Sequence, residues 1–389
     1  MANRLLMLGG GHAQLALLEA APELIAAGHH LTLVSPDPVH YYSGMAPGLL
    51  GGSYEPEEIR FPIREMAEAA GVTFVRDRAV RIDPTERRVM LAGGETIEYN
   101  VLSVNTGSSI APTVAVLTGE DTEAPRVLTA KPIAMMVEAR RFIELVAPSR
   151  ALRLVVVGGG PAAVEIALNL RRLLMKISPE ADARSSVELF AGRSVLPGFP
   201  PRAERAVKRA LAERGVSFRS SEHVVSVTKE GVHTRLGAES ADLVMLATGV
   251  VPSRLFLDSG MPVGPDGSMA VNGSLQVLGH REIFGAGDCI WFTPKRLPRA
   301  GVFAVRESPV LVHNVRAALA GRYDQTKRFR PRGGYLLLLN FGDGTALFWR
   351  RVLGVHLVAH GAWAWTLKDR IDRSFMRRFG SEADRGNEY

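Results

Sequence analysis

Two stretches decide the fold: Leu5-Leu-Met-Leu-Gly-Gly-Gly11 near the start of the chain, and Leu154-Val-Val-Val-Gly-Gly-Gly160, whose glycines stand 149 positions further on. In each, a short apolar run ends in three glycines and passes into an alanine- and leucine-rich stretch with helical spacing. The first helical stretch stops near Gly28 and a second apolar run follows, Leu31 to Val34. The second continues through Leu174 and is followed by Val187 to Phe190. Strand, glycine turn, helix, strand is thus written twice. Each copy then runs through shorter segments into a matching closing strand, Tyr99 to Gly107 (YNVLSVNTG) and Ala241 to Gly249 (ADLVMLATG). Two copies of one α/β domain plan are the simplest account.

A pyrophosphate needs close approach of backbone and positive potential, and a glycine turn feeding a helix N-terminus supplies both. Gly9-x-Gly11 meets that need, although Gln14 holds the third-glycine position, so helix and strand must pack there by other means. Gly158-x-Gly160-x-x-Ala163 carries alanine at its third position, which the dinucleotide fingerprint tolerates. The end of the second strand is normally acidic, to grip a ribose hydroxyl; it is Ser35 in the first copy, with Asp37 two beyond. The second copy has Ala191-Gly-Arg193-Ser194, with no acid and an arginine able to pair a 2′-phosphate. That leans toward NADPH and equally permits a second site that binds no nicotinamide. Taken singly, either turn is also compatible with an α/β fold that holds no dinucleotide.

Further on, Glu282-Ile-Phe-Gly-Ala-Gly-Asp288 reads as a strand ending in a Gly-Asp pair, and residues 301 to 320 as a helix despite Pro309. A carboxylate at such a strand end can accept hydrogen bonds from the ribityl chain of FAD. The helix starting near Gly301 would turn its positive end to the flavin's pyrimidine edge. The expectation is an α/β protein of two tandem Rossmann-like, three-layer ββα domains, FAD-binding over 1–112 and 273–325 and NAD(P)-binding over 113–272. Residues 326–389 form a C-terminal domain, with a β-hairpin (Tyr335 to Asn340 and Ala346 to Trp349) and an amphipathic helix, Ala362 to Phe379. In that helix Trp363, Leu367, Ile371, Phe375 and Phe379 recur every four residues as a stripe, with Lys368 and most arginines off it.

The net charge of +7 sits almost wholly in residues 326–389, which hold 12 Lys/Arg against 6 Asp/Glu and three of the four tryptophans, Trp349, Trp363 and Trp365. Such a mixture suits the headgroup layer of an anionic membrane. The tail is also suited to packing on its own domain or on a second subunit of a homodimer. No recognition motif points to nucleic acid, and the histidines form no ligand cluster, His29-His30 standing adjacent without partners. The N-terminus lacks a leader pattern and no apolar run approaches about 20 residues. The expectation is a cytoplasmic protein, peripheral on the inner face of the plasma membrane if attached at all. With Cys289 as the one cysteine, a dithiol within one subunit is excluded.

Over nearly its full length the chain resembles the pyridine nucleotide-disulfide oxidoreductase superfamily, through the two glycine turns followed in order by Gly287-Asp288. Within it the chain is similar to the type II NADH dehydrogenase and sulfide:quinone oxidoreductase branch. It is nearest to the FAD oxidoreductase found fused ahead of selenophosphate synthetase, echoed in Pro38 to Gly52 (PVHYYSGMAPGLLGG), Leu297 to Arg306 (LPRAGVFAVR) and Leu367 to Met376 (LKDRIDRSFM). No synthetase sequence follows, which leaves any selenium link open. The resemblance implies that Gly9, Gly11, His12, Ser35, Ser43, Gly44, Met45, Val80, Thr106, Gly107, Asp288, Gly301 and Val302 line FAD. It implies that Gly158, Gly160, Glu165 and Gly249 line a nicotinamide nucleotide, the site at which the residues themselves place Arg193.

The disulfide reductases of that superfamily carry a cysteine pair ahead of the flavin, and Tyr41 to Gly48 has none. Cys289 reads as a packed strand-end residue. What remains is hydride transfer from NAD(P)H to FAD and onward to a quinone-type acceptor. Arg299, just before a helix start, is the better candidate for a cation near the flavin. Lys131 is a second candidate that reads more simply as a solvated lysine. Glu165 is a third catalytic candidate. His12 is expected to serve the phosphates with its backbone, not its ring. The competing functions are a flavin redox sensor or electron-transfer partner with a degenerate nicotinamide site, and an enzyme of the same type with oxygen or a selenium or sulfur compound as acceptor.

Overall fold

A computed structural model describes residues 2–118, 124–331 and 334–380. Two parallel sheets organise it. In the first, five parallel strands lie in the order His280–Gly285, Val101–Val104, Arg4–Leu8, His30–Val34, Thr73–Val75. Three further strands, Gln276–Val277, Met269–Val271 and Ile290–Phe292, extend it to eight. The second sheet runs Arg126–Thr129, Leu243–Leu246, Arg153–Val157, Ser186–Phe190, Val216–Arg219, all parallel. Leu5 to Leu8 and Leu154 to Val157 are buried throughout. Both faces of such strands are covered, which is why they show no polar alternation. Smaller sheets add the third layer: an antiparallel ribbon of Ala79–Asp83, Arg88–Leu91 and Thr96–Glu98 in the first domain, and a mixed four-stranded sheet built on Ser226–Thr228 in the second.

In each sheet the strand before the glycines has the second strand on one side and the closing strand on the other, so the glycine turn opens at the point where strand order reverses. Ligands of open α/β sheets bind at that crevice. The chain returns to the first sheet earlier than residue 273: Met269–Val271 is one of its strands, and Leu255, Phe256 and Met261 pack into its core.

The expected C-terminal hairpin is a three-stranded antiparallel sheet, Leu336–Asn340, Ala346–Val352 and Val355–Gly361. Its second turn was hidden because Leu353, at φ +48°, and Gly354, at φ +84°, make it, where a hairpin turn usually advertises Asn-Gly or Asp-Gly. The final helix, Ala362–Phe379, spans the expected residues, but its stripe is not its buried face. Trp363 and Ile371 are about half exposed (51% and 46%), whereas Lys368 and Asp372 are buried. Residues four apart advance by about 400° around a helix, so the stripe winds off the face that meets the core. Only Phe375 and Phe379 reach it, against Leu15, Ala16, Phe61 and Ile63 of the first domain. Lys368 is tolerated inside because its Nζ pairs with Asp372 Oδ2 at 2.6 Å and also donates to the Gly44 carbonyl. Arg373 to Glu58 and Arg378 to Glu19 complete the seat, so the tail helix docks on its own chain. Among the described residues no helix is long and apolar enough to cross a membrane.

Candidate cofactor site

The opening turn is shaped by a residue that sequence reasoning missed. Asn105, just past the closing strand, accepts the Ala13 amide on Oδ1 at 3.1 Å and donates from Nδ2 to the Ala286 carbonyl at 2.6 Å. It ties the first helical turn to the Gly287-Asp288 segment. A Cβ on Gly11 would overlap Asn105 Oδ1, and one on Gly9, at φ +84°, would overlap the Asn105 carbonyl. Glycine is required there by protein packing as well as by phosphate. Gln14 supplies the helix-strand contact that a third glycine would give: Nε2 donates to the Ser103 carbonyl at 2.9 Å, and Ser103 Oγ donates to Gln14 Oε1 at 3.1 Å. The only sign of Asn105 in the sequence is a polar residue directly after an apolar strand.

Three helices, His12–Ala26, Pro161–Ile177 and Gly301–Leu319, begin without a side-chain cap. Apart from the Ala13, Gln14 and Phe303 amides, which Asn105, Gly11 and Ala300 accept, the N–H groups at these starts can face a ligand, with the positive dipole end behind them. A Cβ on Gly301 would lie 3.5 Å from Ser43 Oγ and 3.8 Å from His12 Nε2, so the Ser43-Gly44-Met45 turn, His12 and the start of the Gly301–Leu319 helix meet. Buried His12 Nε2 has no protein partner there, an orphan that a cofactor atom would satisfy. These features fit FAD. The His12 ring is buried. It is packed against Tyr42 and Phe375, its Nδ1 lies 3.2 Å from His40 Nε2, and burial first, then the charge of Lys131, lowers its pKa to about 4.

Ser35 Oγ donates to the Asp37 carbonyl at 3.0 Å, leaving the oxygen free to accept. Thr106 and Gly107 follow Asn105, Gly107 at φ +70°. Val302 stands in the first turn of the Gly301–Leu319 helix, and Val80 is exposed on the antiparallel ribbon.

Asp288 is the centre of a cation clamp. Lys131, from the loop after the Arg126–Thr129 strand, is not a solvated lysine: its Nζ reaches Asp288 Oδ2 at 2.7 Å and Ser108 Oγ at 3.0 Å. The two domains are brought together at that pair, a contact invisible in the sequence. Arg299 has its donors engaged, with Nε to the Asp288 carbonyl at 3.2 Å, Nη1 to the Val250 carbonyl at 3.1 Å and Nη2 to Asp266 at 2.7 Å. It braces the Asp288 loop and does not stand as a free cation. Glu307, also missed, accepts the Gly287 amide at 2.7 Å, and burial pushes its carboxyl up to about 8. Cys289 is fully buried, its thiol facing the Ala286 carbonyl at 3.2 Å and pushed up to about 11 by that burial.

In the second domain Gly158, at φ +142°, lies so close to the Ala247 carbonyl that a Cβ would overlap it. Gly160 caps the Pro161–Ile177 helix, and Gly249 turns at φ +97°. Arg193 is exposed on the loop facing this turn. Glu165 points to the C-terminal sheet, where Oε1 accepts the Asn340 amide at 2.7 Å. Burial, partly offset by the charge of Lys368, pushes its carboxyl up to about 7. Tyr42, whose hydroxyl donates to Asp372 at 3.1 Å, Lys368 and Asp372 gather beside it and were likewise missed. Their i, i+4 spacing was legible, but not that it would face inward.

Two glycine turns, each opening a helix at the strand-order switch of a parallel sheet and joined through one clamped aspartate, define a flavin oxidoreductase of the two-dinucleotide type. The chain belongs to the pyridine nucleotide-disulphide oxidoreductase family, whose profile matches residues 3–314. It is 28% identical over 361 residues to ferroptosis suppressor protein 1 of Xenopus tropicalis, covering 89% of this chain and 88% of that one. With the type II NADH:quinone oxidoreductase of Staphylococcus saprophyticus it shares 24% over 367 residues, 90% of each chain. Among solved structures, the sulfide:quinone oxidoreductase of Aquifex aeolicus matches with TM-score 0.77 at 18% identity, over 97% of this chain and 91% of that one. NDH2 of Plasmodium falciparum, in complex with NADH, matches with TM-score 0.77 at 14% identity, over 97% and 99%. The chain is a flavoprotein oxidoreductase of this family, whose members use FAD and NAD(P)H.

Proposed function

We propose that this protein passes electrons from NAD(P)H through FAD to a quinone-type acceptor, without a cysteine relay, at the surface of an anionic membrane. FAD is assigned to the crevice of the first sheet, with the residues named above, and the nicotinamide nucleotide to that of the second. When bound, FAD supplies a two-electron acceptor for the hydride. Lys131 and Arg299 hold Asp288 in place for it, and the uncapped Gly301–Leu319 helix adds positive potential. Glu165, its carboxyl near 7, can hold or release a proton at neutral pH beside Lys368.

The observation that carries the acceptor is a pair of adjoining cavities. One, of about 460 Å3, lies beside Asp288, Arg299 and Phe303. The other, of about 440 Å3, is walled by Leu297, Phe303, Tyr335, Trp349 and Leu353 and rimmed by Lys295, Arg296 and Arg351. They share Arg296, Leu297, Pro298 and Phe303. An aromatic, apolar groove suits a flat hydrophobic acceptor. Its outer end reaches the hairpin tip, where Leu353 is 99% and Val355 61% exposed and the neighbouring Arg350 and Arg351 are exposed too, a pairing suited to a lipid surface. The absence of a thiol relay is supported by Cys289, the sole cysteine, being sealed in the core.

Anaerobic rapid mixing of the yellow protein with NADH or NADPH, followed by a soluble quinone analogue, tests this: bleaching and then recovery of the flavin colour are expected. A flavin that either nucleotide leaves oxidised removes the proposal and favours the sensor reading, which the missing acid at Ala191 supports. Recovery with oxygen or a selenium or sulfur compound, but not quinone, replaces only the acceptor.

A further inference from the structure

NADPH differs from NADH by one phosphate on the adenosine ribose, and the residues at the end of the second strand meet that position. An acid there grips the free hydroxyl and repels the phosphate. In this chain the strand Ser186–Phe190 leads into Ala191, whose buried methyl group occupies that place. The following loop is fixed against the phosphate-binding turn. The Leu196 amide donates to the Gly159 carbonyl at 2.8 Å, a Cβ on Gly159 would overlap the carbonyls of Ala191 and Ser194, and Gly192 bridges to Glu222. Arg193 lies on this anchored loop, between Ala191 and Ser194, and is exposed. The acids of this edge are engaged elsewhere. Glu188 and Glu239 bind Arg219 at 2.6 and 2.7 Å, and Glu222 accepts from Thr234 Oγ1 at 2.8 Å. His223 lies beside the loop, its Cε1 3.2 Å from where a Gly192 Cβ would be. A guanidinium on a fixed loop, with no carboxylate at the strand end and the nearby acids turned to Arg219, can receive a phosphate.

We infer that the second dinucleotide site takes NADPH in preference to NADH, with Arg193 recognising the 2′-phosphate. The inference rests on the proposed oxidation of NAD(P)H and names which nucleotide is used. The test compares holoenzyme with Arg193→Ala and Arg193→Lys in anaerobic flavin reduction by NADPH and NADH, together with binding of 2′,5′-ADP and 5′-AMP. Native protein is expected to favour NADPH, and 2′,5′-ADP over 5′-AMP, by about tenfold or more, as one charge-assisted contact allows. Arg193→Ala should collapse both ratios about tenfold, and Arg193→Lys should restore part. Arg193 is on the surface, so neither change disturbs the core. Faster reduction by NADH in the native protein, or ratios unmoved by Arg193→Ala, overturns this inference alone. Failure of both nucleotides to reduce the flavin overturns the proposed function with it.

Discussion

Glu165 offers the sharpest test of the site's electrostatics. Its carboxyl, raised from 4.5 to about 7 mainly by burial, binds a proton more tightly in the folded chain than in the unfolded one. Stability is therefore fully present below about pH 4.5 and lost as pH rises toward 7. That interval corresponds to about 3 kcal/mol. Glu165→Gln keeps an oxygen to accept the Asn340 amide and never ionises. The variant should be more stable than the native protein by about 1 kcal/mol at pH 5.5, widening to about 3 kcal/mol at pH 8.5. In a chain of this size that is a gap of several degrees in unfolding midpoint. Thermal unfolding with saturating FAD, across that pH range, measures it. Parallel pH curves for the two proteins would refute the placement of Glu165 as a desolvated carboxyl, because an exposed glutamate contributes no such slope.

Asn105→Ala removes both bonds that join the first helix to the Gly287-Asp288 segment and strands two buried backbone groups. At roughly 1–3 kcal/mol each, flavin should dissociate at least about tenfold more readily, measured by FAD fluorescence on dilution. Unchanged retention would show that Asn105 is incidental to the cradle. Leu353→Asp, at a side chain 99% exposed, should leave the fold intact while weakening flotation with anionic vesicles by about tenfold, since lipid burial of one leucine is worth roughly 1.5–3 kcal/mol. Equal flotation of variant and native protein would remove the tip as a membrane contact.

The sequence alone determined the repeated strand-turn-helix plan, the two dinucleotide crevices and the span of the last helix. Each of these is local: a buried parallel strand must be apolar throughout, and a tight phosphate turn must be glycine, whatever surrounds it. It also disclosed that one cysteine leaves no dithiol. The third C-terminal strand escaped because a Leu-Gly turn carries no turn-like composition. What only the tertiary structure decided are meetings between distant segments. Lys131 closes on Asp288 across the domains, Asn105 links residues 13 and 286, and Glu165 meets the C-terminal sheet beside Lys368 and Asp372. Burial and pairing of charge depend on which surfaces come together in three dimensions, and no spacing along the chain encodes that. For the same reason a helix stripe that looked apolar ended half in solvent while a lysine and an aspartate took the inward face.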